Sequence, residues 1–214
     1  MRNLKASGLV VMAMLAIAAL TAATAWANQF HSGANSTTWT VTSNAFQVFE
    51  YEAGGEAITC ATIGGEAQTT AQTVTEITFK PTYSTCKAEE LLVPAHVAMN
   101  ECDYLLTINA SESGGWVHLK CPAFNTISIT VTNGFGSTLC TLHIGQQTPV
   151  GGVDYANNGA SRVNVQPTES GISGQREGSA LCGVKESISG TYFGQVTVRG
   201  EITGQQTATN VQVG

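Results

Sequence analysis

The chain has 214 residues, only 11% of them charged, and a formal net charge of −6. Its few cations are scattered singly, so no basic surface exists for a phosphate backbone or an anionic lipid, and nucleic acid is excluded as a partner class. Thr, Ser, Gly, Gln and Asn supply the polar surface instead, a composition common in extracellular β-proteins.

The first element is a leader. Met1 to Lys5 carries Arg2 and Lys5, Leu9 to Leu20 is an unbroken apolar run, and Ala25-Trp26-Ala27 offers small residues at both positions that a signal peptidase reads. The expected organisation is a signal peptide over 1–27 and one secreted domain over 28–214. The apolar run is short of the roughly 20 residues that span a bilayer. No cysteine follows it, and Thr207 to Gly214 has neither an apolar tail nor a basic cluster. The mature chain is therefore expected outside the cell or at its surface, with no membrane span. Without the leader, seven Lys and Arg stand against fifteen Asp and Glu, a net charge of −8.

From residue 38 onward the pattern is that of strands. Ile127, Ile129 and Val131 alternate with Ser128, Thr130 and Thr132, the period-two signature of a half-buried strand. Val163 with Val165 and Val196 with Val198 repeat it. Similar readings cover Thr38–Thr42, Phe46–Tyr51, Ala57–Ile63, Val74–Phe79, His96–Asn100, Tyr104–Asn109, Trp116–Cys121, Leu139–Ile144 and Thr191–Ile202, with Gly, Asn and Pro clusters between them. Lys87–Leu92 allows one short helical turn but has no apolar stripe. Asn133-Gly134 is the strongest hairpin signal, because both residues tolerate positive φ. The fold class is all-β, an antiparallel β-sandwich, with strand spacing that also fits a barrel.

An echo runs through the chain. Cys60-Ala-Thr-Ile-Gly-Gly followed by Thr78-Phe79-Lys80-Pro81-Thr82 resembles Cys140-Thr-Leu-His-Ile-Gly followed by Asn164-Val165-Gln166-Pro167-Thr168. It reads either as a duplication giving two similar β-layers or subdomains, or as chance recurrence in a Thr/Gly/Pro-rich chain.

Six cysteines, Cys60, Cys86, Cys102, Cys121, Cys140 and Cys182, all follow the leader, so export makes three disulfides the default, with fifteen possible pairings. A hairpin turning around Ser111–Gly114 sets Cys102 opposite Cys121 at a bridgeable separation. The same test fails for Cys121 with Cys140, because a turn near Asn133–Gly136 pairs Cys140 with about Ile129. The expected set is Cys60–Cys86, Cys102–Cys121 and Cys140–Cys182.

Several constellations imitate sites. His118-Leu-Lys-Cys121 and Cys140-Thr-Leu-His143 offer two His and two Cys to a zinc, but residues three apart on a strand point to opposite faces. His96, Asp103 and Ser113 occur in the order of a chymotrypsin-like triad, at spacings of 7 and 10 residues, which cannot assemble such a triad. Glu50 and Glu52 share a strand face as a glycosidase pair would, without the asymmetric burial that splits acid from nucleophile. Asp154-Tyr-Ala-Asn157-Asn158-Gly159 reads as a turn before it reads as a calcium loop. Trp39, Phe46, Phe49, Tyr51, Trp116, Tyr155, Tyr192 and Phe193 offer rings to a sugar platform, although most belong in a core. Asn35-Ser36-Thr37 and Asn109-Ala110-Ser111 match the glycosylation acceptor pattern. No catalytic, cofactor or metal residue is assigned, and no cofactor is expected.

Together the Ala-rich leader, Pro81-Thr82-Tyr83-Ser84-Thr85-Cys86, Asn100-Glu101-Cys102, Cys121-Pro122 and Gly190-Thr191-Tyr192-Phe193-Gly194 resemble a group of uncharacterised small secreted proteins of actinobacteria. That group has P-T-Y-S-G-C, N-G-C and C-P boxes, and here Thr85 and Glu101 replace the two glycines. The resemblance implies an extracellular protein and transfers no site. Two functions follow as expectations. One is a non-enzymatic binding, adhesion or envelope module meeting a cell-surface glycan or protein. The alternative is a carbohydrate-active or other extracellular hydrolase.

Overall fold

A computed structural model describes residues 29–51, 57–109, 114–178 and 186–214; the leader expected over 1–27 lies outside these. Seventeen strands follow in chain order. They are β1 (Phe30–Ser32), β2 (Thr37–Ser43), β3 (Gln47–Glu50), β4 (Ala57–Thr69), β5 (Thr73–Val74), β6 (Glu76–Ala88), β7 (Val93–Ala98), β8 (Asp103–Ile108) and β9 (Gly114–Lys120). Then come β10 (Ile127–Thr132), β11 (Thr138–Ile144), β12 (Gln147–Asn157), β13 (Arg162–Gly178), β14 (Glu186–Phe193), β15 (Val196–Ile202), β16 (Thr207–Thr209) and β17 (Val211–Val213). Every pairing is antiparallel, and no helix occurs among the described residues.

The pairings reduce this inventory to a simple closed path. β2 continues into β3, β7 into β8, β9 into β10, β11 into β12 and β14 into β15, each pair separated by a short break, so with β4, β6 and β13 the chain forms eight long staves. Each stave pairs with the next in sequence along its length. The last returns to the first through Thr191↔Glu50 in β14·β3 and Ile202↔Thr37 in β15·β2. The expected all-β, antiparallel, disulfide-linked class is what forms. Its facing layers are joined along both sides, so the sheet closes into an up-and-down barrel with no free edge.

Alternation decides which side of the barrel is dry. Trp39 and Val41 point inward from β2 while Thr38, Thr40 and Thr42 point outward; on β10, Ile127, Ile129 and Val131 face in and Ser128, Thr130 and Thr132 face out. An apolar interior under a polar exterior is the reverse of the alternation a lipid-facing barrel carries. No helix among the described residues is long and apolar enough to cross a membrane.

The interior holds two apolar clusters. One, around Trp39, Phe79, Tyr155 and Val163, fills the end where β2 starts and β15 finishes. A three-stranded sheet of β17, β1 and β5 closes this end. In it Phe30 pairs with Val213 and Val74, and packs edge-on against Trp39 and Tyr155 at ring centroid distances of 6.1 and 5.2 Å. The second cluster, around Ile58, Val131, Leu142 and Ile188, fills the opposite end.

Two of the expected disulfides are present. Cys60 and Cys86 are direct partners in the β4·β6 register, with Cα atoms 3.9 Å apart. Cys102–Cys121, with Cα atoms 4.2 Å apart, joins the break before β8 to the break after β9, continuing the Asp103↔Lys120 register as the hairpin argument required. Cys140 is fully buried and bridged, and its expected partner Cys182 lies outside the described residues. Cys140 faces Val131 and not Ile129, because the turn is centred on Phe135 and the register shifts by one more residue between Val131 and Thr132.

Other local expectations need correction. The Asn133-Gly134 hairpin forms between β10 and β11, but the positive φ, 82°, falls on Gly136. Asn133 contributes through its side chain, whose carbonyl accepts from the backbone N–H of Phe135 at 3.0 Å and of Ser137 at 2.9 Å. Asp154 to Asn157 is not a turn but the end of β12; the turn follows, with Gly159 at φ 74°. Lys87 and Ala88 belong to β6, and only the residues after them turn.

Candidate binding site inside the barrel

The site residues read from sequence do not converge. His118 and His143 sit on separate strands, Cys121 is consumed by a disulfide, and no metal-holding cluster exists among the described residues. His96 and Asp103 lie on β7 and β8 while Ser113 is outside the described residues. Glu50 is exposed on the outer face, where its carboxylate accepts from Thr191 Oγ1 at 3.4 Å; Glu52 is outside the described residues. Of the rings, Trp39, Phe49, Tyr51 and Tyr155 are core. Phe46 (62% exposed) and Phe193 (42%) lie on adjoining staves, with Trp116 (46%) four staves from the first and three from the second, so they form no common platform.

One triad-like group does occur on the outer face. His143 Nδ1 lies 3.3 Å from Thr126 Oγ1 and 3.5 Å from Ser128 Oγ, and its Nε2 lies 3.2 Å from Glu177 Oε1. It stands on an exterior sheet surface where neighbouring strands engage the backbone amides, leaving none to stabilise an oxyanion. This is a hydrogen-bonded surface histidine.

The chemically unusual region is the middle of the interior. Five polar side chains face inward there: Gln47 at the start of β3, Tyr83 on β6, Tyr104 on β8, Glu169 on β13 and Tyr192 on β14. They line a cavity of ≈ 120 Å³, measured as the space open to the centre of a water-sized sphere. One water requires about 10–15 Å³ on that measure, so the space admits a molecule of several heavy atoms. Its remaining wall is apolar, with Phe49, Phe79, Leu119, Ile129, Val165 and Ile172 contributing from both ends.

The sequence makes this space by withholding side-chain volume and interrupting strands midway. Gly64, Gly65, Pro81 and Pro167 line it, and five of the eight staves break partway along. Two further glycines fit the polar groups into place. A Cβ on Gly151 would come within 2.8 Å of both Cα and Cβ of Glu169, and one on Gly194 would stand 2.1 Å from Gln47 Oε1. The echo noted in the sequence maps here as well: Pro81-Thr82-Tyr83 and Pro167-Thr168-Glu169 lie on β6 and β13, staves on opposite sides of the ring, and deliver Tyr83 and Glu169 to the same cavity.

The belt's hydrogen bonds leave one group unserved. Tyr83 Oη and Tyr104 Oη are 2.9 Å apart, and Tyr192 Oη donates to Gln47 Oε1 at 2.5 Å. Gln47 Nε2 in turn donates to the carbonyls of Ala45 (2.9 Å) and Gln195 (3.3 Å). Burial pushes all three phenols upward, Tyr83 further through its neighbours Tyr104 and Tyr192, so they remain protonated donors at any ordinary pH. Glu169 is only 6% exposed, and its carboxyl makes no hydrogen bond with a described residue. Burial raises it to about 8, which holds it largely as the neutral acid at pH 7.

No family model, curated protein or solved structure matches this chain. The cavity's own chemistry is therefore the guide to what it does. Sequence reasoning missed Glu169 because an acid in Gln-Pro-Thr-Glu-Ser-Gly reads as a solvated loop; the Pro-Thr echo was the one signal that could have found it.

Proposed function

We propose that the protein is a non-enzymatic binding module, exported to an extracellular or cell-surface location, that takes one small and mostly apolar molecule into its barrel. The observation that carries this reading is the apolar cavity crossed by a buried polar belt. Eight strands make a barrel just wide enough either to be filled by side chains or to hold one small ligand, and here the ends are filled while the middle is not. Two disulfides are compatible with an oxidising compartment. A glycosidase mechanism needs two carboxyl groups about 5–9 Å apart, and the described cavity offers Glu169 alone.

Titration of the mature protein with hexan-1-ol, followed by calorimetry and by methyl NMR shifts at Leu119, Ile129 and Val165, tests the reading. Saturable one-to-one binding with shifts at those methyls and confined to residues that line the cavity supports it. An absence of shifts up to the solubility limit of the alcohol overturns it.

A further inference from the structure

The belt's one unserved group specifies what kind of head the ligand carries. A buried polar group without a partner is costly, more so a carboxyl that ionises, so native interiors seldom retain one. Here the phenols and the Gln47 amide satisfy one another while the Glu169 carboxyl faces the cavity with no hydrogen bond from a described residue. The arrangement is built, since only glycine at 151 leaves room for the Glu169 backbone and side chain to pass.

We infer that the molecule held in the barrel is a lipophilic base, an apolar body bearing one protonated nitrogen seated against the Glu169 carboxyl. This rests on the binding reading above and sharpens it to a ligand class.

Three features of the lining support a cation over an anion or a neutral head. Among the described residues no Lys, Arg or His borders the cavity. The buried Arg176 lies seven residues further along β13 and is not part of the lining; at ~3.3 Å per residue that is about 20 Å away. An acid such as a short fatty acid would set a second carboxyl beside Glu169 with no described cation to pair either of them. Tyr83, Tyr104 and Tyr192 place three aromatic rings around the same space, and aromatic faces attract a desolvated cation.

The proton balance gives a second signature. The titratable groups facing Glu169 are the three phenols of β6, β8 and β14, all held neutral, so only the carboxyl changes state. An alkylammonium enters carrying its proton, the Glu169 O–H bond breaks, the carboxylate pairs with the ammonium, and the carboxyl proton leaves to solvent. Binding of the amine at pH 6.5 therefore releases close to one proton, while binding of an alcohol releases none.

Calorimetry with n-hexylamine, hexan-1-ol and hexanoate, at pH 6.5 in buffers of different ionisation enthalpy and again at pH 7.5, decides the matter. The expected order at pH 7.5 is amine tighter than alcohol by tenfold or more, with hexanoate weakest. Amine binding should release about one proton at pH 6.5, and Glu169→Gln should bring amine and alcohol within threefold of each other and remove the proton release. If the alcohol or hexanoate binds as tightly as the amine, or no proton is released, the ligand-class inference is overturned while the binding reading stands. If none of the three binds, the binding reading itself is overturned.

Discussion

The closed end of the barrel and its middle solve the same packing problem in opposite ways. At the closed end Phe30, Trp39 and Tyr155 meet edge to face beneath a small sheet drawn from both ends of the described chain, and both polar hydrogens in the group are used: Trp39 Nε1–H donates to Thr69 Oγ1 at 3.0 Å and the Tyr155 hydroxyl to the Thr107 carbonyl at 3.2 Å. In the middle, glycine and proline line the ring, and the Glu169 carboxyl has no hydrogen-bond partner among the described residues. One region is optimised for stability and the other gives stability up. That difference locates function in a barrel whose sequence advertises no active site.

The largest test of the contrast is removal of the closed end's central ring. Trp39 is 1% exposed, and truncating a buried large aromatic to alanine costs about 3–5 kcal/mol. Trp39→Ala should lower the urea midpoint accordingly; a loss under 1 kcal/mol would show that this end is not the stabilising one. Cavity residues answer differently: Tyr104→Phe, which removes a hydroxyl beside existing empty space, should cost no more than about 0.5–1.5 kcal/mol.

Next in size is the pH dependence of the middle. Glu169 is raised from 4.5 to about 8 by burial, so between those values the folded chain holds a proton that the unfolded chain has lost. Stability from this group is fully present below about pH 4.5 and declines as pH rises toward 8. The slope is on the order of 1.4 kcal/mol per pH unit at its steepest. The wild-type melting temperature should fall from pH 5 to pH 8, and Glu169→Gln should flatten that fall and melt higher than wild type at pH 8. A wild-type profile as flat as the variant's would mean that Glu169 is not the buried acid described.

The Cys102–Cys121 bridge ties together the breaks beside two staves, near the belt and far from the closed end. Replacing both cysteines with serine should cost about 2–4 kcal/mol by freeing the unfolded chain. Hydrogen exchange should rise in β8 and β9 more than in β1 and β17. Equal increases at both places would remove the distinction between a stapled middle and a self-supporting end.

How much of this could be read from the chain depends on how strongly each region is patterned. Ile127 to Thr132 and Val196 with Val198 declared their strands because one face is buried and the other wet, and the 102–121 bridge followed from counting around a hairpin turn. β12 and the second half of β13 were invisible, because Gly151, Gly152, Gly171 and Gly174 interrupt the alternation that marks a strand. The binding cavity depends on those same interruptions. Closure was equally hidden, because it pairs Thr191 with Glu50 across most of the chain, and no local period records such a pairing. Without closure Glu169 has no inside to face.

The smallest expected effect concerns the backbone near the middle. Thr85 and Glu101 both hold positive φ, 53° and 64°. For a β-branched residue that region is an outlier costing roughly 1–2 kcal/mol, while a glycine in its place loses about 0.5–1 kcal/mol through extra freedom in the unfolded chain. Thr85 is exposed, so the exchange removes no buried contact. Thr85→Gly should therefore stabilise the protein by about 0.5–1 kcal/mol, raising the melting temperature by about 1–4 °C for a chain of this size. The control is Thr82→Gly on the same stave, where φ is not positive and glycine should destabilise. If both substitutions lower the melting temperature, Thr85 is not strained, and the irregularity beside Cys86 is an ordinary part of β6.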